Sequence, residues 1–218
     1  MGEPRKRAYA SPLRQENAEA TRARIVAAAA ELMTTRGYAA TTMAEVARDA
    51  GVAVQTVYAS CPGGKPALAK MVYDVSLAGD AQEVPQSGRP EVRRILDEPD
   101  PARKLALYAA TATAIHRRTL PVQRILRAAA ATAPADTGLH EMLAGLDRER
   151  LAGARGPAEH LHEIGALRTG LTVARAAAQI YALTAIEVFE RLTGTCGWSD
   201  RDYTRWLAEI LGAALLPR

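Results

Sequence analysis

Apolar residues along this chain recur every three to four positions, the spacing of one face of an α-helix. They nowhere form the two-residue alternation of a half-buried strand. Between Thr21 and Gly37 the stripe is Ile25, Ala28, Ala29, Leu32 and Met33, and Gly37 closes it. Thr42 and Glu45 have the spacing of a capping box, in which a hydroxyl and a carboxylate satisfy free N–H groups at a helix start. Met43, Val46, Ala47 and Ala50 then share a face, and Gly51 stands where a left-handed residue ends a helix. A short helix is expected from Val54 to Ser60, with Val57 pointing inward. Pro62-Gly63-Gly64 makes a break, and Lys65 to Ala78 reads as a fourth helix with Leu68, Met71, Val72 and Val75 on one side. Two helices joined by a tight glycine turn over residues 41–60 have the form of a helix–turn–helix, whose second helix enters the DNA major groove.

The rest of the chain is also patterned for helices. Gly79 to Asp100 is rich in Pro, Gly, Gln and acidic residues and reads as a connector with one short helix at Glu91–Leu96. Asp100-Pro101 opens a helix with Leu105, Tyr108, Ala109 and Ala112 on one face. Pro121 is expected to start another, carrying Val122, Ile125, Leu126 and Ala129. Leu139, Met142, Leu143 and Leu146 begin a third, which Gly153–Pro157 is expected to break before Leu161. Thr172 to Leu192 is apolar almost all round and is expected to be one helix, covered on more than one side. Ser199, with Asp202 at N3, caps a last helix whose stripe is Tyr203, Trp206, Leu207, Ile210, Leu211 and Ala214. Two terminal helices with such surface suit a two-fold interface between copies. No fixed-period repeat is visible, which argues against a solenoid.

The expected fold class is therefore all-α: an N-terminal three-helix helix–turn–helix DNA-binding domain, then a larger C-terminal helical domain suited to dimerisation. The expected boundaries are 1–18 for a basic N-terminal arm without fixed structure, 19–80 for the DNA-binding domain and 81–218 for the second domain.

Composition changes this picture little. A net charge of +4 and a pI near 9.3 permit nucleic-acid binding without demonstrating it. Placement says more: Arg5, Lys6, Arg7 and Arg14 make the arm basic, so that it either tracks phosphates and the minor groove or is a solvated tail. Two cysteines far apart give no disulfide framework and fit a reduced, cytoplasmic setting. No secretory signal is read at the N-terminus, and the run Ala176–Ile186 is too short to span a bilayer, so no membrane role is expected. His160 and His162 diverge on a helix, so no metal site is expected there. The chain lacks a Ser-His-Asp spacing, a phosphate loop and a dinucleotide fingerprint, so neither an enzyme nor a cofactor is expected.

The run T-R-x-x-I-x-x-A-A-x-x-L-x-x-x-x-G-Y-x-x-T-T-x-x-x-V-A-x-x-A-G-V-x-x-x-T-V-Y, from Thr21 to Tyr58, resembles the N-terminal domain of TetR-type transcriptional regulators. Lys65 and Leu68 stand where that family has a lysine and a leucine. The stretch from Leu171 to Ala208, with Y-A-L-T-A-I-E-V-F-E-R-L and G-W-S, is similar to the end of many members. The chain departs from the pattern at Cys61, where the family carries an aromatic residue. It departs again with one extra residue in Pro62-Gly63-Gly64 and with Pro66 after the lysine.

In the expected reading helix, Val54, Gln55, Thr56, Tyr58 and Ser60 are the candidate DNA contacts. Gln55 suits a bidentate pair with adenine, methyl groups of Val54 and Thr56 suit thymine, and the Tyr58 hydroxyl suits a phosphate. Thr41 and Thr42 offer hydroxyls and N–H groups to the backbone. Lys65 is a phosphate contact by the resemblance alone. The resemblance further implies a homodimer on a palindromic operator in double-stranded DNA, with reading helices about 34–36 Å apart, released by a small-molecule effector held between helices of the second domain. The helices at about 171–193 and 199–216 are the expected interface, and Tyr108, His116, Met142 and Tyr181 the candidate ligand residues. The alternatives are a helical interaction module that does not bind DNA, or, least favoured, an enzyme acting on a small molecule.

Overall fold

The computed structural model describes residues 12–79 and 88–217; Arg5, Lys6 and Arg7 of the expected arm, and the Arg14 side chain, lie outside the described residues. All regular structure among them is helical: α1 (Pro12–Ala40), α2 (Met43–Ala50), α3 (Val54–Ser60), α4 (Gly64–Ala78), α5 (Pro90–Asp97), α6 (Pro101–Thr132), α7 (Thr137–Glu163), α8 (Val173–Leu183), α9 (Ile186–Glu190) and α10 (Asp200–Leu215). The chain divides into two compact units, Met1–Val72 and Tyr73–Arg218, with the division inside α4 rather than at the expected 80/81.

In the first unit, α1 starts at Pro12, well before the expected Thr21, so the end of the expected arm is helix. Proline suits a helix start, and the following Arg, Gln, Glu and Ala residues favour the conformation. Gly37, at φ 83°, breaks α1 where a residue with a Cβ would be strained. The capping box forms as the spacing predicts: Glu45 N donates to Thr42 Oγ1 at 3.2 Å, and Thr42 N donates to Glu45 Oε2 at 3.1 Å. Gly51 adopts φ 66°, and its N–H returns to the last carbonyls of α2. Ile25, Ala29 and Leu32 of α1, Val46 and Ala47 of α2, Val57 of α3 and Leu68 of α4 are buried and supply the core.

In the second unit α7 packs along α8 and α10 along α6. The core joins Leu105 and Ala109, Ala154, Ala158 and Leu161, Ala176 and Ile180, Phe189, and Tyr203, Leu207, Leu211 and Leu215. Alanines at the crossings let the axes approach closely, while the leucines of α10 supply about 1.5–3 kcal/mol of burial each. The buried Lys104 ties α5 in place: Nζ donates to Ile95 O at 2.7 Å and Leu96 O at 2.8 Å, and lies 3.1 Å from His160 Nε2.

Three helix boundaries differ from expectation. Pro121 starts no new helix; α6 runs through it. Pro121 is exposed, while Thr119, Val122, Leu126 and Ala129 stay buried on one face, and that continuous burial outweighs the roughly 3 kcal/mol an interior proline costs. Pro157 likewise sits inside α7, where Ala154, Ala158 and Leu161 remain packed across it. The expected single helix over 172–192 is instead broken at Thr184–Ala185 into α8 and α9, and a π-helical turn, Arg191–Thr195, follows α9. The cause of that break lies in side chains from two other helices.

Candidate functional site

The turn between α2 and α3 sets the presentation of α3. Val57 is wholly buried and anchors the helix, which leaves Gln55, Tyr58 and Ala59 exposed and Val54, Thr56 and Ser60 half-buried. Tyr58 is 53% exposed and available to a partner surface. The Ser60 hydroxyl donates to Thr56 O at 2.9 Å. The helix carries no charge of its own, so anything it reads is read by amide, hydroxyl and methyl groups.

Three neighbouring candidates are already occupied within the protein. Thr41 is fully buried and its hydroxyl donates to Gly37 O at 2.9 Å, which assigns it to the turn after α1 rather than to an exposed contact. Thr42 is exposed, but its hydroxyl is engaged with Glu45 at 2.8 Å, and its bonds to Glu45 hold that carboxyl below the usual range. Lys65 Nζ donates to Ala39 O at 3.1 Å and lies 4.4 Å from the centre of the Tyr38 ring. Cys61 is buried with Sγ 3.2 Å from Met71 Sδ, and burial pushes its thiol pKa up, so it packs as a small apolar side chain.

The second unit carries a half-open cavity of about 250 Å³. Tyr73 and Leu77 of α4, Tyr108, Ile115 and His116 of α6, Leu146 and Arg150 of α7, and Thr184 and Ile186 at the α8–α9 break contribute to its wall. Arg118 secures the α4 end of this wall by donating to Ser76 O at 3.2 Å and Leu77 O at 2.9 Å.

The α8–α9 break is the chemical centre of the wall. In an unbroken helix the Thr184 carbonyl would accept from Val188 N; here Val188 N turns to Ala185 O at 3.0 Å. Thr184 O instead receives His116 Nε2–H at 3.1 Å and an Arg150 N–H at 3.0 Å. Two side-chain donors on one carbonyl replace the lost backbone bond and hold the break open. His116 Nδ1 faces the Tyr203 hydroxyl at 3.4 Å, and Phe189 packs on the imidazole with centroids 5.4 Å apart. Burial, with the nearby Arg150 charge, lowers the His116 pKa to about 4, so the ring is neutral at pH 7. Burial also pushes the Tyr108 pKa up to about 12, and its hydroxyl lies within reach of the Thr184 side chain.

Of the residues chosen from the pattern, Tyr108 and His116 stand in the wall. Met142 is half-buried on α7 and is not part of it. Tyr181 is not part of the wall either, but its ring lies 5.0 Å from the Arg150 guanidinium. Sequence reasoning missed Arg150 and Thr184. One looks like an exposed helix charge and the other like a mid-helix threonine, and no local signal marks either.

Residues 25–62 match the family model of bacterial regulatory proteins, tetR family. No curated protein matches the sequence at a significant level. Several solved structures share the fold. One is a TetR-family transcriptional regulator from Rhodococcus sp., with TM-score 0.64 and 16% identity over 90% of this chain and 98% of that one. Another is NalD, the secondary repressor of the MexAB-OprM multidrug efflux pump in Pseudomonas aeruginosa, with TM-score 0.63 and 20% identity over 92% and 98%. A third is the transcriptional regulator FadR from Bacillus subtilis in complex with stearoyl-CoA, with TM-score 0.62 and 19% identity over 88% and 97%. At these identities the likeness is one of fold.

Proposed function

We propose that this chain, whose helix–turn–helix is that of the tetR family of bacterial regulatory proteins and whose fold is the TetR-type fold, is a ligand-responsive transcriptional repressor. It binds a palindromic operator as a homodimer and is released by a small molecule. The observation that carries this reading is the presence in one chain of both parts of a switch. One unit has an uncharged reading helix anchored by Val57, and the other a cavity walled by a broken helix. NalD, a repressor, and FadR, solved with an acyl-CoA, have the same fold, which supports both parts.

In this reading Gln55 contacts a base and Tyr58 a phosphate, with Val54 and Thr56 against base methyls; Thr42 and Lys65 lie beside the backbone. The half-buried Trp206, Ile210 and Ala214 beside the buried stripe of α10, together with α8 and α9, form the face shared with a second copy. The protein works in the cytoplasm, where its operator is. The cavity is read as a binding site, and its one histidine has both ring nitrogens engaged within the protein.

The test is selection from a pool of random duplexes, followed by affinity measurements at several salt concentrations. A palindromic winner is expected, with affinity falling steeply as salt rises. Gln55→Ala should weaken binding to that site about ten-fold, in line with one bidentate base contact. No enrichment, or an unchanged affinity in both Gln55→Ala and Tyr58→Phe, would overturn the reading.

A further inference from the structure

Resting on the reading of the cavity as an effector site, we propose that its ligand is a compact organic anion: an apolar body carrying a single carboxylate, received by the Arg150 guanidinium. Most of the polar wall is already spent on itself. His116 uses Nε2–H on Thr184 O and faces the Tyr203 hydroxyl with Nδ1. Thr119 donates to Ile115 O at 3.0 Å and receives Gln123 Nε2 at 3.3 Å, and Gln123 Oε1 receives Arg127 at 3.3 Å.

Arg150 differs. A guanidinium has several N–H donors in a planar fork. One reaches Thr184 O at 3.0 Å and another only grazes Asp147 Oδ1 at 3.5 Å. The others have no acceptor among the described residues. The Thr184 carbonyl and the Tyr181 ring, 5.0 Å away, fix the plane of the fork. A fork held in place with donors to spare, in a wall that also presents Ile115, Leu146 and Ile186, matches a planar carboxylate on an apolar body.

The surrounding charges narrow the class. Asp147 is 64% exposed against 24% for the Arg150 side chain, so water screens the aspartate while the guanidinium is largely sheltered. Glu149, the other charged residue of the wall, is exposed. A second negative charge nearby disfavours polyanions and leaves room for one carboxylate. The volume of about 250 Å³ compares with a cavity of roughly 150 Å³ that holds benzene, and so suits a body of one ring or a short chain.

The full chain is titrated calorimetrically with benzoate, phenylacetate and 3-phenylpropanoate, each beside its primary amide and the amine of matching length. At least one acid is expected to bind ten-fold or more tightly than its amide and its amine. Arg150→Gln should abolish that preference and Arg150→Lys retain part of it. Because Arg150→Gln also removes a bond from the α8–α9 break, Asp147→Ala is measured as well, and should tighten acid binding several-fold by removing the competing carboxylate. Equal binding of acid and amide, preference for the amine, an Arg150→Gln protein that still prefers acids, or no binding by any acid would each overturn the proposal. Operator binding by the same preparation is measured in parallel. Its loss condemns the regulator reading, while failure of the acids with operator binding intact condemns only the anion.

Discussion

His116 shows how much a single side chain acquires from its surroundings. In sequence it is an isolated histidine on an apolar face; in the structure it holds a neighbouring carbonyl and is held neutral by burial. With its pKa lowered to about 4 from an ordinary 6.5, the unfolded chain binds the proton more readily than the folded one. The stabilisation from keeping the ring neutral is complete above pH 6.5 and is lost as pH falls from there towards 4. At 1.36 kcal/mol per unit the loss is roughly 3 kcal/mol. Urea unfolding at pH 7.5 and pH 4.5 checks this: His116→Gln should lose less stability over that interval than the parent protein. Thr41 carries the opposite lesson. Its hydroxyl looked like a backbone contact, yet it closes the turn after α1 and is buried.

At the scale of elements, the α2–turn–α3 segment was fully legible because each of its signals is local. The capping box needs only Thr42 and Glu45, and the turn needs only a residue that tolerates φ 66°. Gly51→Ala tests the second requirement. A Cβ there would meet nothing closer than an Arg24 guanidinium nitrogen at 3.9 Å, so the expected loss of roughly 1 kcal/mol is backbone strain alone. A shift in thermal midpoint reads it. The α8–α9 break was illegible for the complementary reason. Its cause is a pair of donors, His116 and Arg150, that lie 68 and 34 positions away in sequence. The prolines in α6 and α7 misled for the same reason, since burial across Pro121 and Pro157 is a property of neighbouring helices.

At the scale of the whole molecule, function in the proposed reading depends on two copies. The stripe along α10 splits into a buried half, Tyr203, Leu207, Leu211 and Leu215, and a half-buried half containing Trp206, Ile210 and Ala214. The first closes the protein's own core; in the proposed reading the second is the surface shared with a second copy. Ile210→Glu is therefore expected to yield a folded monomer by sedimentation, with normal helical circular dichroism and operator affinity reduced at least ten-fold. A dimer that survives this change would move the interface elsewhere.

What the amino-acid order determined by itself was the all-α class, the helix–turn–helix with its cap and glycine turn, and the helical second domain, because periodicity, capping and left-handed turns act over a few residues. Only the tertiary structure decided which candidates are free and which are used. It tied Lys65 to Ala39 O, buried Thr41, left Met142 outside the cavity wall and brought Arg150 and His116 onto the Thr184 carbonyl. Those outcomes depend on helices packing against one another at long sequence separation. A single polar carbonyl, left unpaired by a helix break, then determines which distant side chains converge on it.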